Sequence, residues 1–196
     1  MIVYKGFREE NPLKKRKEIF IKIYILRYKN NNKLKVLKMG KETKTNVMRV
    51  LESKKIAYTG YTYDPEVAIA GDEVAAALNE PPERVFKTLV TVASKGEHYV
   101  FMVPVNKELN LKAAAKAVGE KSIEMIKSKE LLPLTGYIHG GCSPIGMKKL
   151  FKTVIDSSAT NYEKIFFSGG KVGFQVEVAF SDLCKVIPVI TADIAE

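Results

Sequence analysis

The segment from Val85 to Val105 restricts the fold more than any other part of the chain. It holds two β-rich runs, Val85–Ala93 and His98–Val105, separated only by Ser94-Lys95-Gly96-Glu97, which is the signature of an antiparallel hairpin. On either side of it the pattern alternates between helix and strand. Thr45 can cap a helix whose apolar residues Val47, Val50 and Leu51 share one face, and Ala57–Tyr63 reads as a strand ending at Asp64-Pro65. Gly71 opens a second helix over Asp72–Asn79, with acids in its first turn where the helix dipole favours them, and Pro81-Pro82 closes it. The Ala-rich stretch Leu111–Val118 stops at Gly119. A strand near 122–125 and a short helix near 127–132 precede a glycine-rich loop. Thr153–Asp156, Lys164–Phe167 and Gly173–Ala179 then read as strands, Asp182–Val186 as a short helix and Val189-Ile190 as a final extended piece. A long central hairpin among helical crossovers argues against a simple doubly wound parallel sheet. The expectation is a mixed α+β domain with one strongly curved mixed sheet and helices packed around it.

The net charge of +10 suggests a nucleic-acid partner, but its distribution changes that inference. Residues 1–38 carry twelve Lys or Arg against Glu9, Glu10 and Glu18, which leaves residues 39–196 at +1. The chain therefore divides into a basic N-terminal leader over 1–40 and a domain over 41–196. The leader admits three readings: a basic arm that adds phosphate affinity, an extra strand built on its Ile/Tyr alternation, or upstream sequence ahead of a start at Met39. Its apolar run, residues 19–28, is broken by Lys22 and Arg27 and is too short and charged to span a membrane or serve as a secretory signal. Two cysteines, Cys142 and Cys184, without metal-ligand spacing point to a reducing, cytoplasmic setting. The chain has no GxxxxGK[ST], GxGxxG after a strand or HExxH, so neither cofactor nor metal is expected.

The chemistry is concentrated in Gly140-Gly141-Cys142-Ser143-Pro144-Ile145-Gly146 and in Phe86-Lys87-Thr88-Leu89-Val90. A Gly-Gly pair can turn successive N–H groups toward one point and admit a ligand close to the main chain, although Gly-Gly before Ser-Pro also satisfies a plain tight turn. Lys87, set in an apolar strand, is costly to bury without an anionic partner. Together they suggest a pocket for an anionic or carbonyl-bearing group.

These segments, with Lys54-Lys55-Ile56, Tyr61-Thr62-Tyr63-Asp64-Pro65 and Ser168-Gly169-Gly170-Lys171, resemble the YbaK family in order and spacing over roughly residues 44–195. Its members are trans-editing aminoacyl-tRNA deacylases related to the editing domain of bacterial prolyl-tRNA synthetases. The resemblance implies a barrel-like mixed sheet and hydrolysis of the ester of tRNA mischarged with a small amino acid, typically Cys-tRNA(Pro). It implies Lys87, Gly140 and Gly141 as the catalytic set, and Tyr61, Ala70, Thr88, Cys142, Ser143, Ser168 and Gln175 as residues around the substrate. The partner would be the 3′ aminoacyl end of mischarged tRNA, with prolyl-tRNA synthetase as a transient second partner.

The chain departs from the family pattern twice. Ala70 stands where an aromatic is usual, and Gln175 replaces an acid, so Ala-tRNA(Pro) or another small aminoacyl-tRNA is an alternative substrate. His139 lies three residues before Cys142 and invites a Cys-His nucleophile reading, but on a loop such side chains need not meet. With Cys142 idle, the family analogy implies substrate assistance, in which the vicinal hydroxyl of the tRNA or the substrate's own thiol attacks. A module that binds aminoacyl-tRNA or a nucleotide without hydrolysis is the reading from another class.

Overall fold

The computed structural model describes residues 44–65, 68 and 70–196, together with the backbone of Leu37–Lys38, and all of these belong to one compact unit spanning 36–196. The three readings of the leader fall on residues outside that set, apart from Leu37–Lys38.

Local chemistry accounts for the helices. In α1 (Asn46–Ser53) the extended Thr45 places its Oγ1 3.3 Å from the N–H of Met48, and the helix buries Val47, Met48 and Leu51. Helix α2 (Gly71–Leu78) has Asp72 and Glu73 in its first turn and ends at Asn79, whose φ of 56° breaks the helical ladder. Asn110 accepts from the N–H of Ala113 to start α3 (Leu111–Val118). Helix α4 (Ser128–Thr135) runs three residues past the expected end, through Pro133. The hydroxyl of Thr135 donates 2.7 Å to the carbonyl of Leu131, adding side-chain support to the turn that proline weakens. Helix α5 (Phe180–Val186) begins two residues before the expected start, directly on the end of a strand.

The strands β1 (Leu37–Lys38), β2 (Tyr58–Thr62), β3 (Val85–Ala93), β4 (His98–Pro104), β5 (Ile123–Met125), β6 (Lys152–Asp156), β7 (Lys164–Ser168), β8 (Phe174–Ala179) and β9 (Val189–Ala192) form one mixed sheet. Its order is β1-β2-β8-β7-β3-β4-β6-β9, with β5 beside β3. The expected hairpin is its centre: β3 and β4 pair antiparallel from Phe86–Pro104 to Val92–His98. The other edge of β3 is shared. Val85 and Phe86 pair parallel with Phe166 and Phe167 of β7, whereas residues 91–93 pair antiparallel with β5. Parallel pairings β4–β6 and β6–β9 confirm the mixed sheet.

Strand alternation sends successive side chains to opposite faces, and each face has its own apolar layer. Phe86, Val90, Val100, Met102, Ile155, Phe167 and Val176 face α1, α4 and α5. On the opposite face Val85 and Phe166 pack against α2, while Ala93, Phe101, Val103 and Val154 pack against α3. The core is therefore a sheet with helices on both sides, as the mixed pattern implies.

Candidate active site

Register brings four of the sequence-predicted residues into one row. Tyr61 of β2 pairs with Gln175 of β8, and Gln175 pairs with Ser168, the last residue of β7. Because Phe86 pairs with Phe167, the next residue of β3, Lys87, comes level with Ser168. All four lie on the sheet face that carries Val85, Phe166 and α2. Residues far apart in sequence thus become neighbours across β2, β8, β7 and β3.

The row is polar but largely buried. Gln175 and Ser168 are 7% and 8% exposed, and no donor reaches the Oε1 of Gln175 among the described residues. An unmet buried acceptor costs about 1–3 kcal/mol, so a ligand with a donor would be favoured there. Ser168 Oγ accepts from the N–H of Gly170 at 3.2 Å, which shapes the turn between β7 and β8. Tyr61 stacks at a tilt on Phe166, with centroids 5.3 Å apart, and its hydroxyl donates to Glu177 at 3.2 Å. Burial, then the charge of Glu177, pushes its phenol above the usual range, so it stays a donor at neutral pH. Glu177 is itself held by Arg84 at 2.5 Å, and Arg84 also pairs with Glu80 at 2.8 Å and lies over the Phe166 ring. Arg84, Glu80 and Glu177 escaped the sequence reading, since nothing in their spacing links positions 80, 84 and 177.

Lys87 has the anionic partner its setting calls for: its Nζ lies 2.8 Å from Glu108 Oε1. Glu108 was not foreseen either, because it sits on the loop after β4 and only the fold brings it back to β3.

Ala70 caps α2 at the edge of the same face and donates its N–H to Glu73 at 3.0 Å. Gly71 permits that placement: a Cβ there would lie 2.7 Å from the Cβ of Val105. The small residue at 70 is exposed.

Gly140 and Gly141 lie at the end of the sheet against the β7–β8 turn. Gly140 has a φ of 77°, and a Cβ on Gly141 would come within 3.1 Å of the Val172 nitrogen. The N–H of Gly141 donates to Ile138 O at 3.0 Å, closing the loop on itself. Any charge stabilisation by this loop would therefore fall to neighbouring N–H groups. Ser143 is fully buried with its hydroxyl unpartnered among the described residues.

Thr88 and Cys142 are separated from the row. Thr88 alternates with Lys87 and faces the layer of Phe86 and Val90, where its buried hydroxyl has no partner among the described residues. Cys142 is packed in that same layer, and burial pushes its thiol up to about 12. Exposed His139 makes no hydrogen bond to it among the described residues, which removes the basis for a thiolate nucleophile at neutral pH. A separate open depression of about 240 Å³, lined by Lys44, Thr45, Asn46, Gly170, Lys171 and Phe174, lies beside the β7–β8 turn and does not include Lys87. Among the described residues no cluster of His, Cys, Asp and Glu could hold a metal ion, and no helix is long and apolar enough to cross a membrane.

The mixed sheet thus carries a polar row ending at a lysine on one face, with the glycine loop packed against the β7–β8 turn. The chain belongs to the aminoacyl-tRNA editing domain family, whose model matches residues 64–186, and it is a hydrolase of aminoacyl-tRNA esters. It is 46% identical over 139 residues to an Enterococcus faecalis protein, EbsC, provisionally named as a Cys-tRNA(Pro)/Cys-tRNA(Cys) deacylase, covering 70% of this chain and 85% of that one. It is 30% identical over 108 residues to the proline–tRNA ligase of Thermosipho africanus, covering 55% of this chain and 18% of the ligase. In fold it matches a solved structure provisionally described as a trans-editing enzyme for prolyl-tRNA synthetase, with a TM-score of 0.68 at 23% identity over 77% of this chain and 95% of that one.

Proposed function

We propose that the protein clears cysteine from Cys-tRNA(Pro) in trans, with the aminoacyl group lying along the row from Tyr61 to Lys87. The observation that carries this reading is the alignment of Tyr61, Gln175, Ser168 and Lys87 across four strands. The likeness to EbsC supports cysteine as the amino acid. Lys87 is the cation for the terminal ribose-phosphate, and the Gly140–Gly141 loop borders the ester. With the thiol of Cys142 held neutral, assistance comes from the substrate: either water attacks the ester carbon while the vicinal ribose hydroxyl relays its proton to the departing ribose oxygen, or the cysteine thiol attacks and expels that oxygen, leaving a cyclic thioester that water then opens. The protein supplies position and charge stabilisation.

Ala70 in place of an aromatic and the uncharged Gln175 leave Ala-tRNA(Pro), or another small aminoacyl-tRNA, as the alternative substrate. Since residues 39–196 carry a net charge of only +1, recognition of the tRNA body is lent by prolyl-tRNA synthetase in a transient complex in the cytoplasm.

The test is hydrolysis of labelled Cys-tRNA(Pro), Ala-tRNA(Pro) and Pro-tRNA(Pro) by the wild type and Lys87→Ala. The expected result is loss of the mischarged species only, slowed about 10²–10³-fold by the substitution with circular dichroism unchanged. Equal hydrolysis by Lys87→Ala would remove Lys87 from the mechanism. Tight binding of charged tRNA without turnover would make the domain a binding module.

A further inference from the structure

We propose that Glu108 is the resident counter-ion of Lys87, holding the ammonium in the row while the site is empty and yielding it to the anionic 3′ end of the tRNA. The inference rests on the reading of Lys87 as the contact to that end.

The pair is unequal. The side chain of Lys87 is 24% exposed and that of Glu108 is 80% exposed, at a separation of 2.8 Å. A pair with one member in water is weak, so its exchange for another anion costs little. Among the described residues no other acid competes for the role in the row, where Gln175 and Ser168 are uncharged and Glu177 is engaged by Arg84 and Tyr61.

The main chain beneath Glu108 is hydrogen-bonded in place, whereas its carboxylate lies in water. Its N–H donates to Glu196 O at 3.0 Å, and the N–H of Glu196 returns to Glu108 O at 3.0 Å. Leu109 and Ala195 form a bridge, Asn110 N–H donates to Ile194 O at 2.8 Å, and Asn110 Nδ2 donates to Glu196 at 2.6 Å. The C-terminal residues are anchored in turn, because Asp156 Oδ2 accepts from the N–H groups of Ile194 and Ala195. The carboxylate can therefore swing from the lysine into solvent by side-chain rotation alone, leaving the backbone in place.

A terminal phosphodiester arriving at Lys87 meets the charge of Glu108 as a competitor. Glu108 thus lowers affinity for any RNA end without touching the reacting ester. It is a positioning residue whose effect appears in KM and not in kcat.

The experiment is titration with uncharged tRNA(Pro), beside steady-state hydrolysis of Cys-tRNA(Pro), for the full-length wild type, Glu108→Gln, Lys87→Ala and the double variant. Glu108→Gln is expected to tighten tRNA binding and lower KM about two- to five-fold, with kcat unchanged. In the Lys87→Ala background the same change should leave affinity where it was. That arm separates direct competition from the general effect of removing a negative charge. Weaker binding by Glu108→Gln, a fall in kcat alone, or equal tightening with and without Lys87 would overturn the proposal. If no aminoacyl-tRNA is hydrolysed but the coupling of Glu108 to Lys87 in tRNA binding remains, the proposal stands and the deacylase reading falls.

Discussion

Gln175 and Cys142 illustrate how one buried polar atom can be read from its partners. Removing an acceptor that has no donor should not weaken the fold, because its desolvation is already a cost. Gln175→Leu is therefore expected to leave the melting temperature unchanged or raise it, while kcat/KM falls about tenfold if the amide receives the amino group of the substrate. Thermal melts beside initial rates separate the two effects. Cys142 carries a prediction with a defined sign. Its thiol ionises at about 12 in the folded protein against 9.0 when unperturbed, so the native state keeps a proton that the unfolded chain loses. That contribution to stability is complete below about 9 and is lost as the pH rises toward 12. Cys142→Ala should flatten the alkaline part of the stability curve in urea titrations, and iodoacetamide at neutral pH should modify exposed Cys184 before buried Cys142.

Among the elements, the C-terminal residues that hold the Glu108 loop are anchored to β6 through Asp156. Burial raises the pKa of this carboxyl, but hydrogen bonds from Ser158 Oγ and from the N–H groups of Ile194, Ser158 and Ala195 outweigh it, and the net shift is downward from 3.8. Its stabilisation is present above that value and lost as the pH falls below it. Asp156→Ala is expected to cost about 2 kcal/mol in denaturant titration and to remove the acid-sensitive part of the curve. The elements themselves were largely legible. Ser94-Lys95-Gly96-Glu97 announced the β3–β4 hairpin, and Thr45 and Gly119 marked helix ends, because turn and cap chemistry acts within a few residues. The extension of α4 through Pro133 was not legible, since the hydroxyl of Thr135 supports a turn that proline alone argues against.

Across the whole molecule, charge separates along the chain. With +9 over residues 1–38 and +1 over the remainder, a chain beginning at Lys35 should retain Lys87-dependent hydrolysis. It should also lose most of the salt-sensitive part of tRNA affinity, which titrations at two salt concentrations would measure. The amino-acid sequence alone determined the mixed α+β class and pointed to the two segments proposed to carry the chemistry, since hydrophobic period and glycine placement are local properties. Tertiary structure alone decided which residues share a face. It set Tyr61, Gln175 and Ser168 beside Lys87, turned Thr88 and Cys142 to the opposite layer, and returned Glu108 from the loop after β4. Strand order and register act over a hundred or more positions, as between Tyr61 and Gln175, and a one-residue shift would send every side chain to the other face.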